Sequence, residues 1–173
     1  MAGSQGVTIR FEREGDASAI YVVNRSAFET QAEADLVDRL RRDEASVVSL
    51  VADDEGTIVG HILFSPVTLT GHSASSILGL APMAVRPERQ RQGIGSELVR
   101  AGLEACRKTN AEAVVVVGHP GFYPRFGFVP ASRLGLSCEY DVADEIFMAL
   151  ELVRGALAGK SGLVRYHPAF AGF

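Results

Sequence analysis

Residues 7–11 (Val-Thr-Ile-Arg-Phe) alternate between apolar and polar, the period of a half-buried strand. Past Asp16, a candidate N-cap, the spacing becomes helical, with Ala17, Ile20, Tyr21, Asn24, Ala27 and Phe28 on one side. Thr30-Gln31-Ala32-Glu33 has the spacing of a capping box. The helix it opens turns Leu36, Val37 and Leu40 to a core before the charged run 39–44. Apolar runs at 47–52 and 57–64 flank Asp53-Asp54-Glu55-Gly56 and predict an antiparallel hairpin. Pro66 interrupts the second run, which resumes beyond a kink at 67–70. After the polar loop 71–76, residues 77–85 read as a strand, and Pro82 inside it marks a bulge or a splayed edge.

The strongest pattern follows. Over 95–108, Leu98, Val99, Gly102, Leu103 and Cys106 make an apolar side against Glu97, Arg100, Glu104, Arg107 and Lys108. The β-branched run 113–117 then fits a strand buried on both faces and parallel to its neighbour. Strand, helix and strand form a βαβ unit with a right-handed crossover. A strand at 145–152, a short helix near 153–158, the stretch 162–166 and an aromatic tail complete the chain. The expected class is mixed α/β, with antiparallel strands first and the βαβ unit second. The expected organisation is a short flexible stretch (1–6), one domain (7–152) and an extension (153–173) that packs on the domain or on a partner.

Composition narrows the range of functions. Of 173 residues, 47% are apolar, enough for one sizeable core. A net charge of −4 argues against a dedicated nucleic-acid binder. No window is apolar enough to span a membrane, and the small polar start lacks a hydrophobic signal core, so a cytoplasmic location is expected. Cys106 and Cys138 make no C-x-x-C pair, and His61, His72, His119 and His167 are scattered singly, so no metal site is expected. Cys106 reads as a buried free thiol.

One stretch carries candidate chemistry. The run 77–85 feeds through Arg86-Pro87 into a basic, amide-rich turn holding Gly93 and Gly95, and a helix starts at once. Glycines let an anion approach the backbone, where unpaired N–H groups and the positive helix end face it. The Walker pattern fails for want of Gly-Lys-Ser/Thr, and the dinucleotide fingerprint G-x-G-x-x-G is absent. What remains is a pyrophosphate cradle of backbone amides helped by Arg89 and Arg91, or else a plain surface turn with solvated arginines.

The block Met83-Ala84-Val85-Arg86-Pro87-Glu88-Arg89-Gln90-Arg91-Gln92-Gly93-Ile94-Gly95-Ser96-Glu97-Leu98 resembles motif A of the GNAT acetyltransferases, Q/R-x-x-G-x-G/A. Tyr123-Pro124-Arg125-Phe126-Gly127-Phe128 resembles the Tyr-x-x-x-Gly-Phe of their motif B, and the wording from His119 is nearest to the YhbS-like branch. The resemblance spans about 7–152 and implies an acetyl-CoA-binding fold whose strand before the turn splays from the next. It implies that the backbone of Met83, Ala84 and Val85 faces the acetyl and pantetheine groups. It also implies that amides of Arg91, Gln92, Gly93, Ile94, Gly95 and Ser96 hold the pyrophosphate. Tyr123 takes the position of the family's general acid; the bland alternative is packing with Phe122, Phe126 and Phe128. Two family features are missing: an asparagine after the second parallel strand, and a helix before the tyrosine.

The implied reaction is acetyl transfer from acetyl-CoA to a primary amine by direct attack on the thioester. The alternative is a catalytically silent acyl-CoA-binding module. An alkyl amine is neutral to only about one part in a thousand at pH 7, a shortage costing roughly 4–5 kcal/mol, so a base or a desolvating pocket helps. Candidates are His119, Glu29, Glu33 or water; a capping role already accounts for Glu33, Glu29 also reads as a solvated surface residue, and His119 reads more readily as a loop residue bonding backbone. The acceptor, a small amine or a protein amine, is not specified, and a homodimer is a family expectation alone.

Overall fold

The computed structural model describes residues 6–173. The expectation of a flexible start therefore falls, for 1–5, outside the described residues. Among the described residues the elements are β1 (Val7–Phe11), α1 (Ala17–Ala27), α2 (Ala32–Arg42), β2 (Val48–Asp54), β3 (Thr57–Leu69), β4 (Ile77–Val85), α3 (Ile94–Arg107), β5 (Ala113–Val117), β6 (Val129–Pro130), β7 (Leu136–Cys138), β8 (Phe147–Glu151) and β9 (Gly162–Arg165). This is a mixed α/β fold whose sheet combines antiparallel and parallel pairs. Two compact units divide the chain: one runs up to Phe64 and adds Ala81–Ala105, the other holds Ser65–Leu80 and Cys106–Phe173.

The first unit is built on antiparallel pairing. β1 pairs with β2 from Val7↔Asp54 to Phe11↔Leu50, and β2 with β3 from Val48↔Phe64 to Asp54↔Thr57. The hairpin turn tightens to Glu55 and Gly56, both at positive φ (50° and 96°), with Asp53 Oδ1 accepting from the Gly56 N–H at 2.7 Å. Two positive φ values suit the right-handed twist of the strands they join. Successive β3 residues face opposite ways. Ile94 and Leu98 of α3 pack over Gly60, while His61 turns to Asn24 of α1. The apolar side of α1 is Ile20 and Val23, with Asn24, rather than one including Tyr21, whose hydroxyl donates to Asp35 at 2.9 Å.

Both expected helix caps are used differently. Asp16 does precede α1 but makes no side-chain cap bond. Its carboxylate accepts from Arg10 at 2.8 Å and from the Arg13 N–H at 2.7 Å, and the Arg10 guanidinium holds it below the usual carboxylate range. The capping box does not form. α2 opens after Gln31, and Thr30 Oγ1 accepts from Ala32 N at 3.2 Å, so Glu33 is already the second helical residue. With the helix starting one residue later, the reciprocal geometry of the box is out of register.

In the second unit β5 is the central strand. β4 runs parallel to it over Ile77↔Ala113, Leu78↔Val114 and Gly79↔Val115, three pairs at the start of a nine-residue strand, and α3 is the crossover between them. β8 pairs antiparallel on the other side of β5 along its whole length, and β6 follows β8. β3 does not break at Pro66. It continues to Leu69, where the exposed Pro66 needs no ladder bond and Thr68 and Leu69 pair with β9. β9 also runs parallel to β7. The expected helix near 153–158 is instead a series of turns with bonds Ala156 N to Val153 O and Ala158 N to Gly155 O, Gly155 and Gly159 taking positive φ.

Candidate functional site

The basic turn lies wholly in the first unit, continuous with the end of β4. The Arg86 N–H donates to Val59 O at 2.9 Å and its Nε to Ile58 O at 3.1 Å, fixing the exit of the strand. A 3-10 turn, Pro87–Arg89, follows, and Gln90 Nε2 donates back to Val85 O at 3.0 Å. Arg89 forms an ion pair with Asp54 and donates through Nε to Gln92 Oε1 at 3.2 Å. It ties the turn to the β2–β3 hairpin. Arg91 is exposed and sits at φ 63°, a left-handed conformation that a non-glycine residue adopts at a cost. Gly93, at φ 88°, takes the same region freely.

These two reversals bend the chain into α3 with its first turn open. The N-terminal bond recorded for the helix runs from Glu97 N to Gly93 O at 3.0 Å, so the N–H groups of Ile94, Gly95 and Ser96 precede it and point out of the helix end. Ile94 is buried and anchors the turn, Gly95 and Ser96 are half-buried, and Arg91, Gln92 and Gly93 are exposed. Met83 is half-buried, Ala84 and Val85 buried. All the residues expected to bind the donor, Met83 to Val85 and Arg91 to Ser96, thus lie in this one unit, on the strand end and turn that lead into a positive helix end.

Tyr123 belongs to the second unit. β5 ends at Val117, and the Gly118 N–H continues its ladder to Ile146 O at 3.0 Å. His119 O then accepts from Phe122 N and Tyr123 N, and a 3-10 turn, Tyr123–Phe126, closes at Gly127 with φ 99°. Among the described residues no helix lies between β5 and Tyr123. The Tyr123 ring is 7% exposed, edge-on to Phe122 at 5.0 Å and to Phe128 at 5.7 Å. Its hydroxyl makes no hydrogen bond among the described residues, and burial pushes the phenol up to about 12. The ring fills the aromatic cluster with Phe122 and Phe128.

The base candidates separate. His119 Nδ1 accepts from Gly121 N at 3.0 Å, so the neutral ring carries its proton on Nε2 and has no lone pair to spare. Glu29 is exposed. Glu33, freed of the capping role, has a buried Oε2 that makes no hydrogen bond among the described residues.

Two other polar groups that sequence spacing did not connect meet in the first unit. His61 is fully buried, with Nδ1 at 3.1 Å from Asn24 Nδ2 and Nε2 at 2.9 Å from Ser49 Oγ. Because Asn24 Nδ2 also donates to Ile20 O, the amide is oriented to donate to Nδ1, which puts the ring proton on Nε2. Burial pushes His61 down to about 3, so it stays neutral. Burial also pushes the Cys106 thiol up to about 12, which removes it as a nucleophile. Among the described residues there is no group of three or more His, Cys, Asp or Glu able to hold a metal, and no helix long and apolar enough to cross a membrane.

A strand holding Pro82, a glycine turn leading into α3, and a second strand parallel to the first define an acyltransferase class of fold. The chain belongs to the acetyltransferase (GNAT) family, whose model matches residues 16–128. It is 40% identical over 165 residues to the "Uncharacterized N-acetyltransferase YhbS" of Escherichia coli (strain K12), covering 95% of this chain and 99% of that one. A crystal structure of the Escherichia coli GNAT family N-acetyltransferase YhbS in complex with CoA superposes with a TM-score of 0.91 at 39% identity, covering 96% of this chain and 93% of that chain. A GNAT family acetyltransferase from Brucella melitensis in complex with acetyl-CoA gives a TM-score of 0.77 at 36% identity, with 95% and 97% covered.

Proposed function

We propose that this chain transfers the acetyl group of acetyl-CoA to a primary amine by direct attack on the thioester. The observation that carries the reading is the Tyr123 hydroxyl, held by a buried ring and without a hydrogen-bond partner among the described residues. The YhbS and Brucella relatives, solved with CoA and acetyl-CoA, support the donor. In this reading the amides of Arg91 to Ser96 receive the pyrophosphate, and the backbone of Met83, Ala84 and Val85 lies along the pantetheine and acetyl groups. A backbone N–H there polarises the thioester carbonyl.

The amine nitrogen forms the new C–N bond as the C–S bond breaks, and the electron pair leaves on sulfur. The proton lost from nitrogen passes to a base. Glu33 is favoured for receiving it, because a buried carboxylate oxygen without a partner is costly and an ammonium or amine N–H relieves that cost. Tyr123 donates a hydrogen bond to the departing thiolate. A phenol at about 12 lies roughly 3.5 units above a thiol of about 8.5, so full transfer would be uphill by about 5 kcal/mol. The tyrosine therefore stabilises the thiolate as a donor, and solvent completes its protonation.

The test pairs thermal shift with acetyl-CoA against thiol release over an amine panel. Stabilisation by acetyl-CoA together with amine-dependent thiol release is the expected result. Stabilisation with no turnover on any amine would identify a silent acyl-CoA-binding module instead.

A further inference from the structure

Gly118 lies between β5 and the turn that carries Tyr123. Its backbone is fixed by the bond from its N–H to Ile146 O, and its φ lies outside the left-handed region. The backbone therefore does not itself call for glycine. The side-chain space does. A Cβ at Gly118 would overlap Cε2 of the Tyr123 ring and stand 2.8 Å from Cδ2 and 3.3 Å from Cζ. The ring rests on the bare Cα, with Phe122 and Phe128 edge-on around it. Its turn starts from His119 O, one residue beyond the fixed Gly118.

We propose that Gly118 is a positioning residue whose missing Cβ sets where the Tyr123 hydroxyl stands, and through it how well the departing thiolate is met. The proposal rests on the acetyl-transfer reading above. With a Cβ in place the ring retreats by roughly 1 Å, a displacement of the size that costs a reaction up to about 10²-fold. Because the backbone tolerates alanine, the change acts on the ring rather than on the strand.

The experiment uses the full chain with Gly118→Ala, Tyr123→Phe, Tyr123→Leu and the two double variants. In the wild-type background, Gly118→Ala lowers kcat about 10- to 100-fold while KM for acetyl-CoA stays within about twofold. In the Tyr123→Phe background the same substitution changes kcat by less than about twofold, because the hydroxyl it acts through is gone. Equal losses in both backgrounds overturn the proposal while leaving acetyl transfer standing. Thermal unfolding gives a reading independent of turnover. Gly118→Ala lowers Tm by roughly 3–10 °C against the tyrosine and by about 1 °C or less in Tyr123→Leu, where the ring is absent. An undiminished Tm loss in Tyr123→Leu also overturns the proposal. A wild-type chain that releases no thiol with any amine refutes the acetyl-transfer reading, and the catalytic role of Gly118 with it.

Discussion

Two turns follow two parallel strands in this chain, and they are made in opposite ways. The turn after β4 is polar and offers its backbone: side chains such as Arg86, Arg89 and Gln90 are spent tying it down, and the N–H groups of Ile94, Gly95 and Ser96 are left open. The turn after β5 is aromatic and presents one side chain: its backbone bonds close on His119 O, and packed rings hold the Tyr123 hydroxyl, which bonds no other described residue. A backbone site is robust to side-chain replacement but depends on conformation. A side-chain site depends on one atom and on the packing that aims it. Under the proposed function, donor binding and chemistry fall to these two different kinds of structure.

The largest expected effect separates these two roles. Tyr123→Phe keeps the ring contacts and removes one donor, so kcat falls by about 10²-fold, the usual loss for one preorganised hydrogen bond to a developing anion. Acetyl-CoA affinity, read by thermal shift or calorimetry, stays within about twofold. A matching loss of affinity would break the division of labour.

A middle effect comes from the other turn. Gly93→Ala forces a Cβ into φ 88° at a cost of about 1–2 kcal/mol, expected as roughly a 5- to 30-fold weaker Kd for acetyl-CoA. At saturating donor, kcat remains near wild type. An unchanged Kd would show that the turn does not hold the donor by its backbone.

The smallest effect tests how far that turn relies on its ties. Arg89→Ala removes the Asp54 ion pair, in which both side chains are partly exposed (23% and 28%). The expected loss is at most about 1 kcal/mol of stability, read from urea unfolding. Donor affinity should fall by less than about threefold. A tenfold loss of affinity would return Arg89 to direct contact with the donor.

Much of this was legible in the residues. The strand at 77–85, the helix after Gly93 and the strand at 113–117 fall where hydrophobic period and glycine position put them. The glycine turn and Tyr123 block identified the family before any contact was known. The capping box expected at Thr30 has the four residue types, but one residue of helix register decides against it. The helix expected near 153–158 gives way to turns because so short a stretch is diverted by Gly155 and Gly159 at positive φ.

What the sequence determined was local: strand and helix periods, the positive φ that Gly93 accommodates, and a basic turn opening a helix. These depend on neighbours in the chain, so spacing alone reveals them. What only tertiary structure decided was which distant groups meet. Arg89 reaches Asp54 across 35 positions and Asn24 reaches His61 across 37. Even Gly118 and Tyr123, five positions apart by number, are matched in shape only because Ile146 fixes one and Phe128 wedges the other. Close packing makes such fits specific, and no periodicity along the chain encodes them.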